Sequence, residues 1–218
     1  MRCSEEVLAL AERGQKREFF LHAHLCLCIA HFGLGEFPEA VAHGARVRAP
    51  HEFEKNNDQQ FPHGYDPFML GRVYERLSLS MLGYPIQALE QMNEELTAAQ
   101  RVVHPFFELF VRTQRCLLFG MHRDYACVLI ESAAAITLAG EIGNLDFHAW
   151  TLIQHGCALM EMGDALGGEE VAAGFAMCSD LNSQYILPVL QAIHAVARLS
   201  RDDTHGARSA AVHGLVAW

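Results

Sequence analysis

Apolar positions recur every three to four residues along nearly the whole chain, which is the period of an amphipathic helix. No stretch alternates apolar and polar residues over a strand's length with enrichment in Val, Ile and Thr. The pattern predicts short helices over about 4–13 and 16–32, with the second broken by Gly33 and Gly35. A third helix starts at Pro38, where a missing N–H costs nothing, and runs to about Arg48. Helices then follow over about 67–82, 85–102, 104–120, 124–139, 146–162, 168–179, 184–200 and 203–216. Gly83, Gly120, Gly140, Gly163, Gly167 and Gly168 read as the breaks between them. Residues 49–66, APHEFEKNNDQQFPHGYD, are the most polar stretch and read as a long loop.

The breaks resemble one another. They read FGLGEFPEAV at 32–41, LGYPIQAL at 82–89, FGMHRDYACV at 119–128 and MGDALGGEEV at 162–171. Gly35, Gly83, Gly120 and Gly163 are 48, 37 and 43 residues apart, and such periods signify stacked repeats. Glycine lets the first helix end in a left-handed residue. The small residues Ala40, Ala88 and Ala126 let the paired helix pack close. A helix pair cannot bury its apolar face alone, so pairs stack. The expected fold is all-α, one domain over 1–218: an α-solenoid of about five stacked antiparallel helix pairs, wound right-handed.

The pattern resembles the tetratricopeptide repeat, best at Leu82-Gly83-Tyr84 with Ala88. More narrowly, three segments resemble the helical-repeat region of bacterial signal-transduction ATPases and their class III nucleotide cyclase fusions. These are His63-Gly64-Tyr65-Asp66-Pro67, Leu82-Gly83-Tyr84-Pro85 with Gln87-Ala88-Leu89, and His104-Pro105-Phe106. The resemblance covers about 25–180 and implies a repeat arm of a longer multidomain protein. A further repeat would be expected beyond Trp218. The family's catalytic parts are not implied here. The sequence has no G-x-x-x-x-G-K-[ST] cradle, its two lysines (Lys16, Lys55) follow no Gly-rich loop, and no paired-aspartate cyclase site stands in a strand context.

Composition narrows the function classes. The chain has 218 residues, a formal charge of −10, 51% hydrophobic and 19% charged residues. Disorder is excluded by that hydrophobicity. A duplex nucleic-acid partner is disfavoured by the acidity. No apolar run approaches the roughly 18 residues of a membrane span, and the first 15 residues lack a signal-peptide core, so no membrane association and no secretory leader are expected. Cys26, Cys28, Cys116, Cys127, Cys157 and Cys178 lie in apolar helical stretches, as reduced cytoplasmic cysteines do. The low charge also points to self-association or a covered surface.

Each chemistry-bearing residue has a packing role to set against its chemistry. His22 with Cys26 and His24 with Cys28 have the i, i+4 spacing of metal ligands but no further pair to complete a tetrahedral site. Cys116 and Cys157, near His155, sit mid-helix among aliphatic residues, where a thiolate is disfavoured. Asp66-Pro67 and His104-Pro105 read as helix starts, and Phe106, Phe107, Phe110, Phe147 and Trp150 as inter-repeat core. The expectation is therefore of no enzyme, cofactor or metal, and of a protein or peptide partner. First helices of successive pairs would line a concave face, with Arg72, Arg76, Arg112, Arg115 and Gln154 as its partner-binding residues. The competing reading is a small-molecule sensor with its ligand among Tyr74, Arg112 and Trp150.

Overall fold

The computed structural model describes residues 2–14, 17–51, 67–102, 105–184 and 186–216. Within these, eleven helices and no strand are found. They are α1 (Arg2–Gly14), α2 (Arg17–Leu34), α3 (Phe37–His51), α4 (Pro67–Met81), α5 (Pro85–Val102), α6 (Pro105–Met121), α7 (Tyr125–Ile142), α8 (Leu145–Glu161), α9 (Leu166–Asp180), α10 (Leu187–Leu199) and α11 (Thr204–Val216). The chain forms two compact units, Met1–Val102 with α1–α5 and Val103–Trp218 with α6–α11. Of the polar loop expected at 49–66, residues 49–51 extend α3. Residues 52–66, with most of the His63–Pro67 motif, lie outside the described residues, as does His104.

One turn recurs at the described helix hairpins. A residue with positive φ ends the first helix at Gly35, Gly83, Arg123, Gly143, Gly163, Asn182 and Asp202. At each, its N–H donates to the carbonyl three residues back. At each, the next N–H donates to the carbonyl five back, as in Tyr84 to Leu79 and Asp124 to Phe119. This is the Schellman arrangement, which satisfies carbonyls the helix leaves open. In several pairs the residue after the turn then caps the next helix. Asp124 accepts from the Cys127 N–H (3.1 Å), Asn144 from Phe147 (3.1 Å) and Asp203 from Gly206 (2.8 Å).

Several expected breaks differ, among them Gly33, which lies inside α2. Gly120 is helical, and Arg123 takes the left-handed conformation instead. Helix α7 continues through Gly140 and turns at Gly143. Gly167 and Gly168 lie inside α9, not between helices. The turns that join first to second helices are then 35, 83, 123, 163 and 202, with steps of 48, 40, 40 and 39 residues. The period of 40 is longer than the roughly 34 of the standard tetratricopeptide repeat.

In the first unit, α2 packs on α3, α3 on α4, α4 on α5, and α2 also meets α4. In the second, α6 packs on α7, α7 on α8, α8 on α9 and α10 on α11. The first helices also meet directly, α6 with α8 and α8 with α10. Helices α8 and α9 approach closely. A Cβ added at Gly167 would collide with the Gly156 carbonyl oxygen, so only glycine permits this spacing. The core there joins Ile153 and Cys157 of α8 to Val171 and Cys178 of α9 and Ile186 and Leu190 of the α10 segment. Burying a side chain such as Ile153 contributes about 2–3 kcal/mol. Ala40 and Ala88 are buried as expected, but Ala126 is exposed. The buried position falls five residues after the left-handed turn residue. Counted from Arg123 it is Val128, which is buried in its place.

Aromatic residues run across α6 and α8. Phe106 and Phe110 meet Phe147 edge-on at 5.7 and 6.2 Å, and Phe147 meets Trp150 at 4.7 Å. Helix α7 differs from expectation. Its 18 residues reach a mean hydropathy of 1.5, enough by length and composition to cross a bilayer. Glu131 and Glu141 interrupt the apolar run, which is why no continuous span stands out in the sequence.

Candidate functional site

Within the second unit, α6, α8 and α10 border a shallow cleft. Its polar lining is Thr113, Gln114 and Gln154, and its apolar lining comes from Leu117 and from Ile186, Val189, Leu190 and Ile193. The repeat explains this composition. Gln114, Gln154 and Ile193 each stand nine residues before the left-handed turn residue of their own pair. Thr113 Oγ1 and Thr151 Oγ1 lie 3.1 Å apart and tie α6 to α8 beneath the cleft. Gln154 is 4% exposed, and its Oε1 has no hydrogen-bond partner. A buried amide oxygen in this state costs about 1–3 kcal/mol, which a donor arriving from outside would recover.

The expected arginines are placed differently from Gln154. In the first unit, Arg72 Nε lies 2.5 Å from Glu95 Oε1, and its guanidinium lies over the Phe68 ring at 5.1 Å. Arg76 is buried, 2.7 Å from Glu75 and 3.7 Å from Glu95. Glu95 is fully buried, and that burial pushes its carboxyl up to about 7 against the pull of Arg72 and Arg76. In the second unit, Arg112 and Arg115 both bond Glu131 of α7, at 2.9 and 2.8 Å, and Arg112 also bonds Glu108. Arg115 lies over the Phe119 ring at 5.2 Å. The four guanidinium groups thus clamp first helix to second helix inside a pair. They do not form an open basic face.

His155 repeats the clamp. It stands 40 residues after Arg115 and pairs with Glu170 of α9 at 2.5 Å. The residues of the sensor reading are also engaged in packing. Tyr74 is buried against Phe32 at 5.6 Å, and Trp150 Nε1 donates to Ser183 Oγ at 3.0 Å.

The thiols are held neutral. Burial pushes Cys28 and Cys157 up to about 12, Cys178 up to about 11, and Cys116 higher still. Among the described residues, no group of three or more His, Cys, Asp or Glu converges as a metal site. Two histidines of α2 meet His43 of α3 instead. His24 Nδ1 lies 2.7 Å from His43 Nδ1, and His31 stacks on His43 and pairs with Glu36.

Sequence reasoning singles out Gln154 but passes over Leu117, Ile186, Val189 and Ile193. The signal that finds them is the 40-residue step between Gln114 and Gln154, which emerges once Arg123 is recognised as the turn residue.

No protein-family model matches the chain, and no curated protein matches it in sequence. Solved structures do share its fold. The nearly identical TPR-like repeats of a Podosopora anserina kinesin light chain align over 90% of this chain and 94% of theirs, with 12% identity and a TM-score of 0.57. A point variant of those repeats aligns over 90% and 93%, with 11% identity and a TM-score of 0.58. The fold is therefore all-α, an α-solenoid of stacked, tetratricopeptide-like helix pairs.

Proposed function

We propose that this chain is a non-catalytic protein-interaction scaffold, and that its second unit holds an extended peptide segment of a partner across α6, α8 and α10. Tetratricopeptide-like arrays commonly present such surfaces to other proteins. The observation that carries the reading is Gln154. Its buried, unpartnered Oε1 stands in a cleft otherwise lined largely by aliphatic side chains, beside the register-equivalent Gln114. An extended backbone brings an N–H donor every second residue on one edge, and apolar side chains for Leu117 and Ile193. The clamping arginines support the surface indirectly by fixing the helix pairs. The raised thiol pKa values withhold the thiolate that covalent chemistry would need.

In its finer form, the reading makes the chain the repeat arm of a bacterial signalling ATPase or nucleotide cyclase. It would pass partner binding to a catalytic domain elsewhere in a longer protein. The segments at 63–67, 82–89 and 104–106 support this.

Selection of extended peptides from a displayed library on the intact chain tests the cleft. The expected result is a family of binders whose affinity falls at least tenfold in Gln114→Leu/Gln154→Leu, while the melting temperature holds or rises. Binding that is equal in the double variant, or a library that yields no binder, would overturn the assignment.

A further inference from the structure

The cleft over Gln154 has two unlike walls. Helix α6 contributes Thr113 and Gln114 to one, and α10 contributes Val189 and Ile193 to the other. The repeat register sharpens the contrast. Nine residues before the turn, successive first helices carry Gln114, Gln154 and Ile193. An amide thus stands at two steps of the array and a β-branched hydrocarbon at the third. Val189 lies one helical turn before Ile193 on the same face of α10. Both are half-buried and packed against the core. Among the described residues, no ionisable side chain lines the cleft. Arg112 and Arg115, which flank Thr113 and Gln114 in α6, are held by Glu108 and Glu131. The cleft is bounded on each side by a described helix, α6 and α10, so both walls are complete within the second unit.

On the reading of this cleft as a peptide site, we propose that Ile193, with Val189, selects the partner's sequence by taking a Val, Ile or Leu side chain of the extended segment. The two kinds of side chain do different work. A carboxamide has a donor and an acceptor, which match the N–H and C=O that nearly every peptide residue offers. Gln114 and Gln154 are therefore suited to hold an extended chain whatever its side chains. Hydrocarbon has no hydrogen bond to give a backbone, so Ile193 and Val189 gain only from burying an apolar side chain. A charged side chain placed there would lose water and meet no counter-ion, and a polar one would leave its hydrogen bonds unmade. Attraction of aliphatic residues and rejection of the rest together make the site selective.

The displayed library of extended peptides on the intact chain also tests this assignment. Binders should share one position restricted to Val, Ile or Leu, and Asp or Lys at that position should weaken binding at least tenfold. Gln154→Leu should weaken binders of every sequence alike. Ile193→Gln should still bind, but a fresh selection on it should admit polar residues at the restricted position. Ile193→Ala, which keeps the wall apolar and shortens it, should shift the choice toward larger apolar residues, with far-UV circular dichroism unchanged. Binders with no restricted position, or a restriction that survives unaltered in both Ile193 variants, would overturn this proposal and leave the peptide site standing. Binding indifferent to Gln114→Leu/Gln154→Leu, or a library without binders, would overturn the site and this proposal with it. So would a dimer seen by sedimentation that Gln154→Leu dissolves, since the occupant would then be a second copy.

Discussion

Arg123 and Gly83 do the same work in the same turn with different chemistry. Both have positive φ, +58° and +92°, and both donate to the carbonyl three residues back. A side chain in this region is strained by about 1 kcal/mol relative to glycine. Arg123→Gly should therefore stabilise the second unit by roughly 0.5–1 kcal/mol, offset in part by the looser unfolded chain. Thermal melting should show a rise of a few degrees, and a fall would show that the arginine side chain contributes more than its backbone costs. Glycine is conspicuous in a sequence and a left-handed arginine is not. Gly120 therefore reads as the break and hides the true step of 40 residues. Gln154 is legible as a polar residue on a first helix. The burial of Arg76 and Arg115 is not, because their partners Glu95 and Glu131 come from another helix at no fixed spacing.

The α2–α3 pair carries a pH dependence. His24 is 2% exposed, and burial first, then His43 and Arg46, holds its imidazolium down, so that its pKa falls to about 4. His43 shifts the same way through burial, His31 and Arg46. The two Nδ1 atoms share one hydrogen bond, which two protonated rings cannot make. Unfolded histidine binds its proton near pH 6.5, so the unfolded chain gains protons first. Stability is therefore full above about pH 6.5 and falls as the pH drops toward 4, by on the order of 3 kcal/mol for a shift of this size. In the second unit, His194 beside Arg198 contributes in the same direction, with a pKa also lowered to about 4 by burial first. Urea melts at pH 7 and pH 4.5 should show this loss, and His24→Gln should flatten part of it. A slope that is identical in the variant would remove His24 from the account. Helix periodicity makes α2 and α3 legible in the sequence, whereas the meeting of His24 with His43 depends on how the two helices rotate against each other.

At the scale of the whole molecule, the contacts of the second unit run from each helix to its neighbours and to the next first helix. Stability in such an array is a sum of repeat and interface terms, and cooperativity weakens with length. In a Trp218→Phe background, the fluorescence of Trp150 reports α8 and its Ser183 contact, while circular dichroism reports every helix. Denaturant midpoints from the two probes should differ. Coincident midpoints would make the chain a single cooperative unit. The fold class is readable from period and punctuation because each repeat writes its own boundaries. The division after Val102 is not, because the periodicity runs through it without a break.

The repeated use of one turn makes the chain editable in whole modules. Removing Asp124 to Gly163 would join Arg123 to Asp164, and the junction would again read as a left-handed residue followed by an acidic cap. Lineages can lengthen or shorten such an array by duplication and loss of one module's codons without designing a new join. Its reach is then a heritable quantity, set by copy number and open to selection apart from the chemistry of its surface.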